Sequence, residues 1–289
     1  MTTLRAPAKV NLTLEVIRRR PDGYHDIRSV VLLLSHLRDN VRVDVADGPT
    51  DVRIITQSSQ IPADHTNICH RATMKYLAHV NEAARVTIDI AKRVPVAAGL
   101  GGGSSDAAAV LLALNRHFGQ RIARRTLAAI GADIGKDVPV FLGGSDISLV
   151  SGTGERIRGF RVSPRMHVLI VNPGIAIPTK DAYAALRNEL WFMEAPARTD
   201  RSRQMLAALA RNDLPAVAAA LYNDFEIVAD RAYPVLKEIR QSLRAFGAAG
   251  ALMSGSGSTL FGLFTSTRTL TAARRVLRAR YPEFFIARG

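Results

Sequence analysis

The chain has 289 residues and a single cysteine, Cys69, so it can form no internal disulfide and build no cysteine metal site. Aromatic residues are only 6%, and they do not alternate with basic ones in the manner of a base-stacking surface. Lysine is scarce, with 6 against 33 arginines. No uncharged apolar run reaches the length of a membrane span, and Met1 to Arg5 lack the apolar core of a signal peptide. The expectation is a soluble, cytoplasmic protein with no membrane partner. Three common nucleotide and hydrolase signatures are missing as well. No lysine follows Gly103 in the Walker manner, Ser104 stands where a dinucleotide fingerprint needs glycine, and there is no Gly-x-Ser-x-Gly elbow.

What is present in excess is positive charge, +14 formally. The basic residues are scattered, and the longest run is Arg18-Arg19-Arg20. That distribution suits an anionic small molecule better than a nucleic acid, which remains the reading of a different class. Hydrophobic residues at 47% provide for a folded core, in one large domain or two ordinary ones.

The chain is organised around Arg93-Val94-Pro95-Val96-Ala97-Ala98-Gly99-Leu100-Gly101-Gly102-Gly103-Ser104-Ser105-Asp106. It leads into an Ala/Leu-rich run, Ala107 to Leu114, that predicts a helix. Glycine lets backbone approach a ligand closely, and a helix N-terminus offers unpaired N–H groups and a positive dipole end. Together they make an anion site, with phosphate as the expected anion. The bland alternative is a linker, or a helix merely capped by Ser104 or Ser105.

Before this loop, Val10 to Val16 alternates as a half-buried strand, which projects Lys9, Asn11 and Thr13 from one face. Pro21-Asp22-Gly23 is a turn, and Ile27 to Leu37, Val41 to Val45, Val52 to Thr56 and Val86 to Ile90 read as further strands. A helix runs from Thr66-Asn67 to about Val80, with Ile68, Ala72, Tyr76 and His79 on one side. After the loop, a short helix over Thr126 to Ile130 ends near Gly131, and Gly143-Gly144 and Ser151 to Gly154 are turns. Met166 to Val171 is a strand, 181–247 is mostly helical, Gly250 to Phe264 is strand, glycine turn and strand, and Thr269 to Arg280 is a final helix. The class is α+β in two regions, with mostly antiparallel strands in the first and a boundary near 155–165.

A phosphate loop without its own lysine needs a cation elsewhere and a group to take the acceptor proton. Lys9, at the mouth of a strand, is the candidate cation; Asp133, Asp137 and Asp106 are the candidate carboxylates. Each also has a bland reading, as a solvated lysine or as a turn or cap aspartate. Asp137 lies where polar Gly135-Lys136 meets apolar Val138-Pro139-Val140-Phe141, which suits the edge of a pocket.

Pro95 to Ala108 resembles the central signature of the galactokinase–homoserine kinase–mevalonate kinase–phosphomevalonate kinase (GHMP) superfamily. Three further stretches are similar to its member family in the non-mevalonate isoprenoid pathway: Ala6 to Leu12 with Arg20-Pro21-Asp22-Gly23-Tyr24-His25-Asp26, then Ile134 to Phe141, then Met253 to Ser258. The likeness covers residues 4 to about 264, and Asp22-Gly23-Tyr24-His25 argues against a mevalonate or homoserine kinase.

The resemblance implies a two-domain α+β GHMP fold, with a ribosomal-protein-S5-like domain over 1–160 and a ferredoxin-like domain over 161–289. It implies ATP with Mg²⁺, the 2-hydroxyl of 4-diphosphocytidyl-2-C-methyl-D-erythritol as acceptor, and action as a monomer or homodimer. By the same resemblance Asp137 is the base, and Lys9 orients it and stabilises charge on the moving phosphoryl group. Asn67, Lys92, Pro95, Gly99, Leu100, Gly101, Gly102, Gly103, Ser104 and Ser105 fall where the family holds the nucleotide. Asn11, Tyr24, His25, Thr179 and Tyr183 fall where it holds the acceptor, Tyr183 by stacking on cytosine. Two positions depart from the family pattern: Ala97 replaces a common glycine at a small expected cost, and Lys136 replaces a small residue beside the base.

Overall fold

The computed structural model describes residues 1–162, 165–190 and 200–289. The chain divides into two compact units that interleave along the sequence. Unit 1 takes 1–8, 37–96 and 101–144; unit 2 takes 9–36, 97–100 and 145–289. Two long strands, β1 (Thr2–Arg19) and β2 (His25–Ala46), supply residues to both units.

In unit 1 the distal part of β2 pairs antiparallel with β4 (Arg85–Ala91), from Asn40 opposite Ala91 to Ala46 opposite Arg85. On its other edge β4 pairs in parallel with β3 (Asp51–Thr56). A parallel neighbour needs a crossover, and α1 (Ile68–Val80) supplies it. The alternation predicted for β4 holds: Val86, Ile88 and Ile90 are buried while Arg85 and Ala91 are exposed. Helix α1 begins as its sequence suggests, with the Asn67 side chain accepting from the Cys69 N–H, and ends on Asn81 in the left-handed region. Its buried face is Cys69, Ala72, Thr73, Tyr76 and Leu77. His79, expected on that side, is exposed. Seven residues on from Ala72, it sits at the rim of that apolar stripe, in the last turn of the helix.

Three helices complete unit 1: α2 (Gly102–His117), α3 (Arg124–Ile134) and α4 (Val138–Leu142). α1 and α4 both pack on α2, whose Ala107 to Leu111 are all buried. α3 continues through Gly131, where the sequence had suggested an end. A Cβ at that position would stand 2.9 Å from Val138 Cγ1, so the glycine is there for close packing on α4 and not to stop a helix.

In unit 2 the proximal part of β2 pairs antiparallel with β5 (Ile147–Gly152), which pairs antiparallel with β6 (Arg156–Phe160). The sequence shows only turn signals there, at Gly143-Gly144 and Ser151 to Gly154. β7 (His167–Asn172) follows, then α5 (Thr179–Leu190), α6 (Arg201–Ala210) and α7 (Leu214–Ala220). The two-residue β8 (Tyr222–Asn223) pairs in parallel with β1 at Thr13 and Leu14. α8 (Glu226–Ala232), α9 (Pro234–Ala245), β9 (Gly250–Met253), β10 (Leu260–Phe264), α10 (Thr267–Arg280) and β11 (Phe285–Arg288) close the chain. The expected helical stretch over 181–247 therefore holds α5 to α9, interrupted by β8; its residues 191–199 lie outside the described ones.

A four-stranded antiparallel sheet, in the order β11-β7-β10-β9, is the frame of this unit. Its β10 is buried throughout, and its core runs from Leu169 and Val171 through Leu236, Ile239 and Leu243 of α9 to Leu270 and Leu277 of α10. Among the described residues no helix is long and apolar enough to cross a membrane.

Candidate active site

In unit 1 the N-terminus of α2 is the centre of the candidate site. The helix starts at Gly102, five residues ahead of the predicted Ala107, so Gly102 to Asp106 of the glycine-rich stretch are helix. Neither serine caps it: the N-cap is Gly101, left-handed at φ 70°, with no side-chain hydrogen bond. The N–H groups of Gly102, Gly103 and Ser104 have no acceptor further up the helix, because the first intrahelical bond on this turn is Ser105 N–H to Gly101 C=O at 2.9 Å. Gly103 is exposed, and a Cβ on it would meet nothing nearer than Ile68 at 3.7 Å. Backbone donors left without a helical acceptor on the positive end of a 16-residue helix are what an anionic phosphate needs.

Asn67 is buried, as cap of α1; its amide also donates to Pro62 C=O at 2.7 Å. The Lys92 side chain is only 7% exposed, its Nζ 2.5 Å from Asp39 Oδ2 and 2.8 Å from Asp106 Oδ2. Asp106, one of the three carboxylate candidates, is thereby paired deep in the unit. Burial is the main influence on it and pushes its pKa up to about 7; Lys92 opposes this and Asp39 adds to it. Burial also pushes the nearby Cys69 thiol well up, which makes it inert.

Asp137 immediately precedes α4 as its N-cap residue, yet its side chain makes no capping hydrogen bond. Ser104 lies close to this segment, its Oγ 3.7 Å from the place of a Cβ on Gly135. Asp133 differs: its side chain is 71% exposed and faces Lys75 at 3.5 Å.

Unit 2 contains Lys9 and the loop residues Ala97 to Leu100. Lys9 is 95% shielded from solvent; its Nζ donates to Asn11 Oδ1 at 2.7 Å and to Gly99 C=O at 3.0 Å. Its own N–H donates to Leu100 C=O. Asn11 is fixed in turn by Ser29, whose Oγ accepts from its amide at 2.8 Å, and the Asn11 N–H donates to Ser254 Oγ. Ser254 Oγ donates to Gly99 C=O at 3.0 Å. Lys9, Asn11, Gly99 and Ser254 therefore form one buried network. The sequence did not single out Ser254, although Met253 to Ser258 stood out as a motif.

Gly99 can only be glycine. Its φ is +74°, and a Cβ would lie 2.3 Å from the backbone oxygen of Ser254.

Ala97 corrects an expectation. It sits in the left-handed region at φ 54°, which costs a residue with a Cβ about 1–2 kcal/mol. Glycine would relieve this, so the departure at Ala97 is not cheap. Ala97→Gly is expected to stabilise the protein by about 1 kcal/mol and to raise Tm by about 2 °C. A calorimetric scan showing an unchanged or lower Tm would contradict the strain.

The acceptor-side candidates also lie in unit 2. The His25 and Tyr183 rings are stacked with centroids 4.6 Å apart and 22° between planes, and Phe225 meets Tyr183 edge-on at 4.8 Å. Tyr24 is 58% exposed on the turn before β2. Thr179, the first residue of α5, has its Oγ1 3.2 Å from Ser256 Oγ. Lys9 and Asp137 belong to different units.

Comparison with known proteins gives these features a context. The GHMP kinases N terminal domain matches residues 67–151, and the GHMP kinases C terminal family matches 205–283. The 4-diphosphocytidyl-2-C-methyl-D-erythritol kinase of Geobacter sulfurreducens is 39% identical over 96% of this chain and 95% of its own. The chain belongs to that kinase family. The Geobacter metallireducens kinase is 40% identical over 99% of this chain and 97% of its own. A crystal structure of 4-(cytidine 5'-diphospho)-2C-methyl-D-erythritol kinase superposes with a TM-score of 0.80 at 36% identity, covering 99% of this chain and 98% of the other. The expected α+β GHMP kinase fold is borne out by both domain matches and by this superposition.

Proposed function

We propose that the chain catalyses ATP-dependent phosphorylation of the 2-hydroxyl of 4-diphosphocytidyl-2-C-methyl-D-erythritol, in the non-mevalonate isoprenoid precursor pathway. What carries the reading is the near-full-length likeness to relatives named for that kinase. In this reading residues 1–160 are the N-terminal GHMP domain and 161–289 the C-terminal one; the two family matches fall on either side of that boundary. The enzyme works in the cytoplasm, as a monomer or homodimer.

The first-turn amides of α2 hold the triphosphate, with Pro95 and Asn67 flanking the nucleotide. Asp137 takes the proton of the acceptor hydroxyl as its oxygen bonds to the γ-phosphorus and the bond to the ADP oxygen breaks. The place of Asp137 at the start of α4, in the same unit as the α2 amides, supports that role. Lys9 orients the base and neutralises charge on the moving phosphoryl group; its burial, with Asn11 and Gly99 as fixed partners, supports a positioned cation.

Mg²⁺ supplies charge neutralisation on the phosphates when bound. Among the described residues no three His, Cys, Asp or Glu side chains cluster to hold a metal, which suits an ion carried mainly by phosphate oxygens. The hydroxyls of Ser104 and Ser105, in the first turn of α2, are the protein oxygens available to it; the buried Ser105 Oγ has no hydrogen-bond partner.

Tyr183 and His25 receive the cytosine, and their stacked spacing of 4.6 Å leaves no room for a base between them. The base adds to an outer ring face or parts the pair. Tyr183→Ala is expected to raise KM for the cytidyl substrate about 5- to 100-fold, the equivalent of ~1–3 kcal/mol of stacking, with KM for ATP unchanged. An unaltered KM would remove Tyr183 from the substrate site. A ³¹P spectrum of the product tests the reaction itself: a new phosphomonoester signal beside the intact diphosphate supports the reading, and cleavage of the diphosphate contradicts it.

A further inference from the structure

Asp39, Lys92 and Asp106 form a cluster of buried charge at the base of the phosphate loop. The Asp39 carboxylate is fully buried and spends both oxygens. Its Oδ2 takes the Lys92 ammonium at 2.5 Å, and its Oδ1 takes the backbone N–H of Arg93 at 2.5 Å and of Val94 at 2.8 Å. Lys92 reaches the other way to Asp106 Oδ2 at 2.8 Å, fourteen positions along the chain. The two ends of the glycine-rich stretch are thus joined by one buried ion pair. The entry to the stretch is pinned a second time, through its backbone, by a residue of β2.

Lys92 also packs against the start of the helix. A Cβ on Gly102 would lie 3.2 Å from Lys92 Nζ and 3.0 Å from Val94 Cγ1. A lone ammonium beside the positive end of a helix would be repelled, and burial makes any unpaired charge costly by several kcal/mol. Two carboxylates offset both effects. A buried triad is weak evidence for stability, because a packed apolar set serves as well or better. It is better evidence for a defined geometry. All its bonds converge on the backbone of 93–94 and on the first two turns of α2, whose amides face the nucleotide in the proposed reaction.

We propose that Asp39, Lys92 and Asp106 are positioning residues for ATP, clasping both ends of the glycine loop so that the α2 amides are set before the nucleotide arrives. Lys92 acts through the two aspartates and does not touch the nucleotide itself. The inference rests on the kinase reading for its ligand, and on the geometry above for its device.

The test is binding of a non-hydrolysable ATP analogue, by titration calorimetry, to the full chain and to Asp39→Asn, Lys92→Gln, their double variant and Asp106→Asn. Either of the first two is expected to weaken binding about tenfold or more, since small misplacements at a preformed site carry large penalties. The double variant is expected to be no worse than the poorer single, because both break one device. Hydrogen exchange at the amides of 93–105 rises in each nucleotide-free variant, while KM for the cytidyl acceptor stays within about twofold. Asp106→Asn keeps the size of the side chain and one lysine–carboxylate pair, so it folds if the others do not; it is expected to weaken binding about threefold and to speed exchange at the start of α2.

Normal binding by Asp39→Asn beside a large loss in Lys92→Gln would mean that Lys92 contacts the nucleotide directly, and would overturn the proposal. Equal losses for analogue and acceptor would mean general destabilisation, and would overturn it too, as would wild-type binding and exchange in Asp106→Asn. Failure of the substrate reading is separate: a wild-type chain that binds the analogue but does not phosphorylate the cytidyl alcohol leaves the clasp standing. A wild-type chain that does not bind the analogue removes the phosphate loop and the clasp together.

Discussion

Asp137→Asn is expected to abolish turnover, lowering kcat by about 10²–10⁴ while ATP affinity stays within a few-fold, because a positioned base contributes that much to proton transfer. The amide matches the carboxylate in shape but cannot accept the hydroxyl proton. The start of α4 does not depend on a side-chain cap from Asp137, and Pro139 presets its first turn. The measurement pairs ADP release with calorimetric binding of an ATP analogue. Retained turnover in this variant, with loss in Asp133→Asn, would move the base to Asp133. The geometry speaks against that outcome, because Asp133 is largely solvent-exposed in the last turn of α3 and pairs with Lys75.

Lys9→Met is expected to have the second largest effect, with kcat reduced about 10²–10³-fold, the loss seen when one preorganised donor to a developing charge is removed. This variant also carries a structural penalty that Asp137→Asn does not. Asn11 Oδ1 and Gly99 C=O lose a buried donor, at a cost of about 1–3 kcal/mol, so Tm falls by several degrees. The two effects separate when kcat is measured well below the lowered Tm. Lys9→Arg is not expected to rescue activity: the site fits a compact ammonium bonded to Asn11 Oδ1 and Gly99 C=O, and a planar fork is a different donor. Full activity in Lys9→Met would leave Asn11 and Ser254 as a purely structural network.

Much of this arrangement was legible in the sequence where a local rule and the tertiary structure agree. Val86, Ile88 and Ile90 alternate because one face of β4 is buried, and Asn67 precedes an apolar stripe because it caps α1. The strand, glycine turn and strand of 250–264 became β9 and β10 in register, Leu260 opposite Met253. The glycine loop pointed to a phosphate ligand through its composition.

The rest was hidden for physical reasons. In β2, Ser35, His36, Arg38 and Asp39 break the apolar pattern, so one 22-residue strand read as two. Arg156 to Phe160 is a mostly exposed edge strand, defined by its pairing with β5 and without apolar periodicity of its own. α2 starts within glycines that local propensity assigns to a loop; a left-handed Gly101 and packing of the following alanines override that preference. Asp39 gave no signal because its partners lie 53 to 55 positions away. Ala97 looked harmless because a sequence shows no φ.

The kinase reading meets its most direct test in the specificity constant of the purified chain with ATP across three alcohols: 4-diphosphocytidyl-2-C-methyl-D-erythritol, mevalonate and homoserine. The account predicts that kcat/KM for the cytidyl alcohol exceeds the other two by at least about 10³, as expected when a site holds a base that competitors lack. Comparable or greater turnover of mevalonate or homoserine, with none of the cytidyl alcohol, would contradict it.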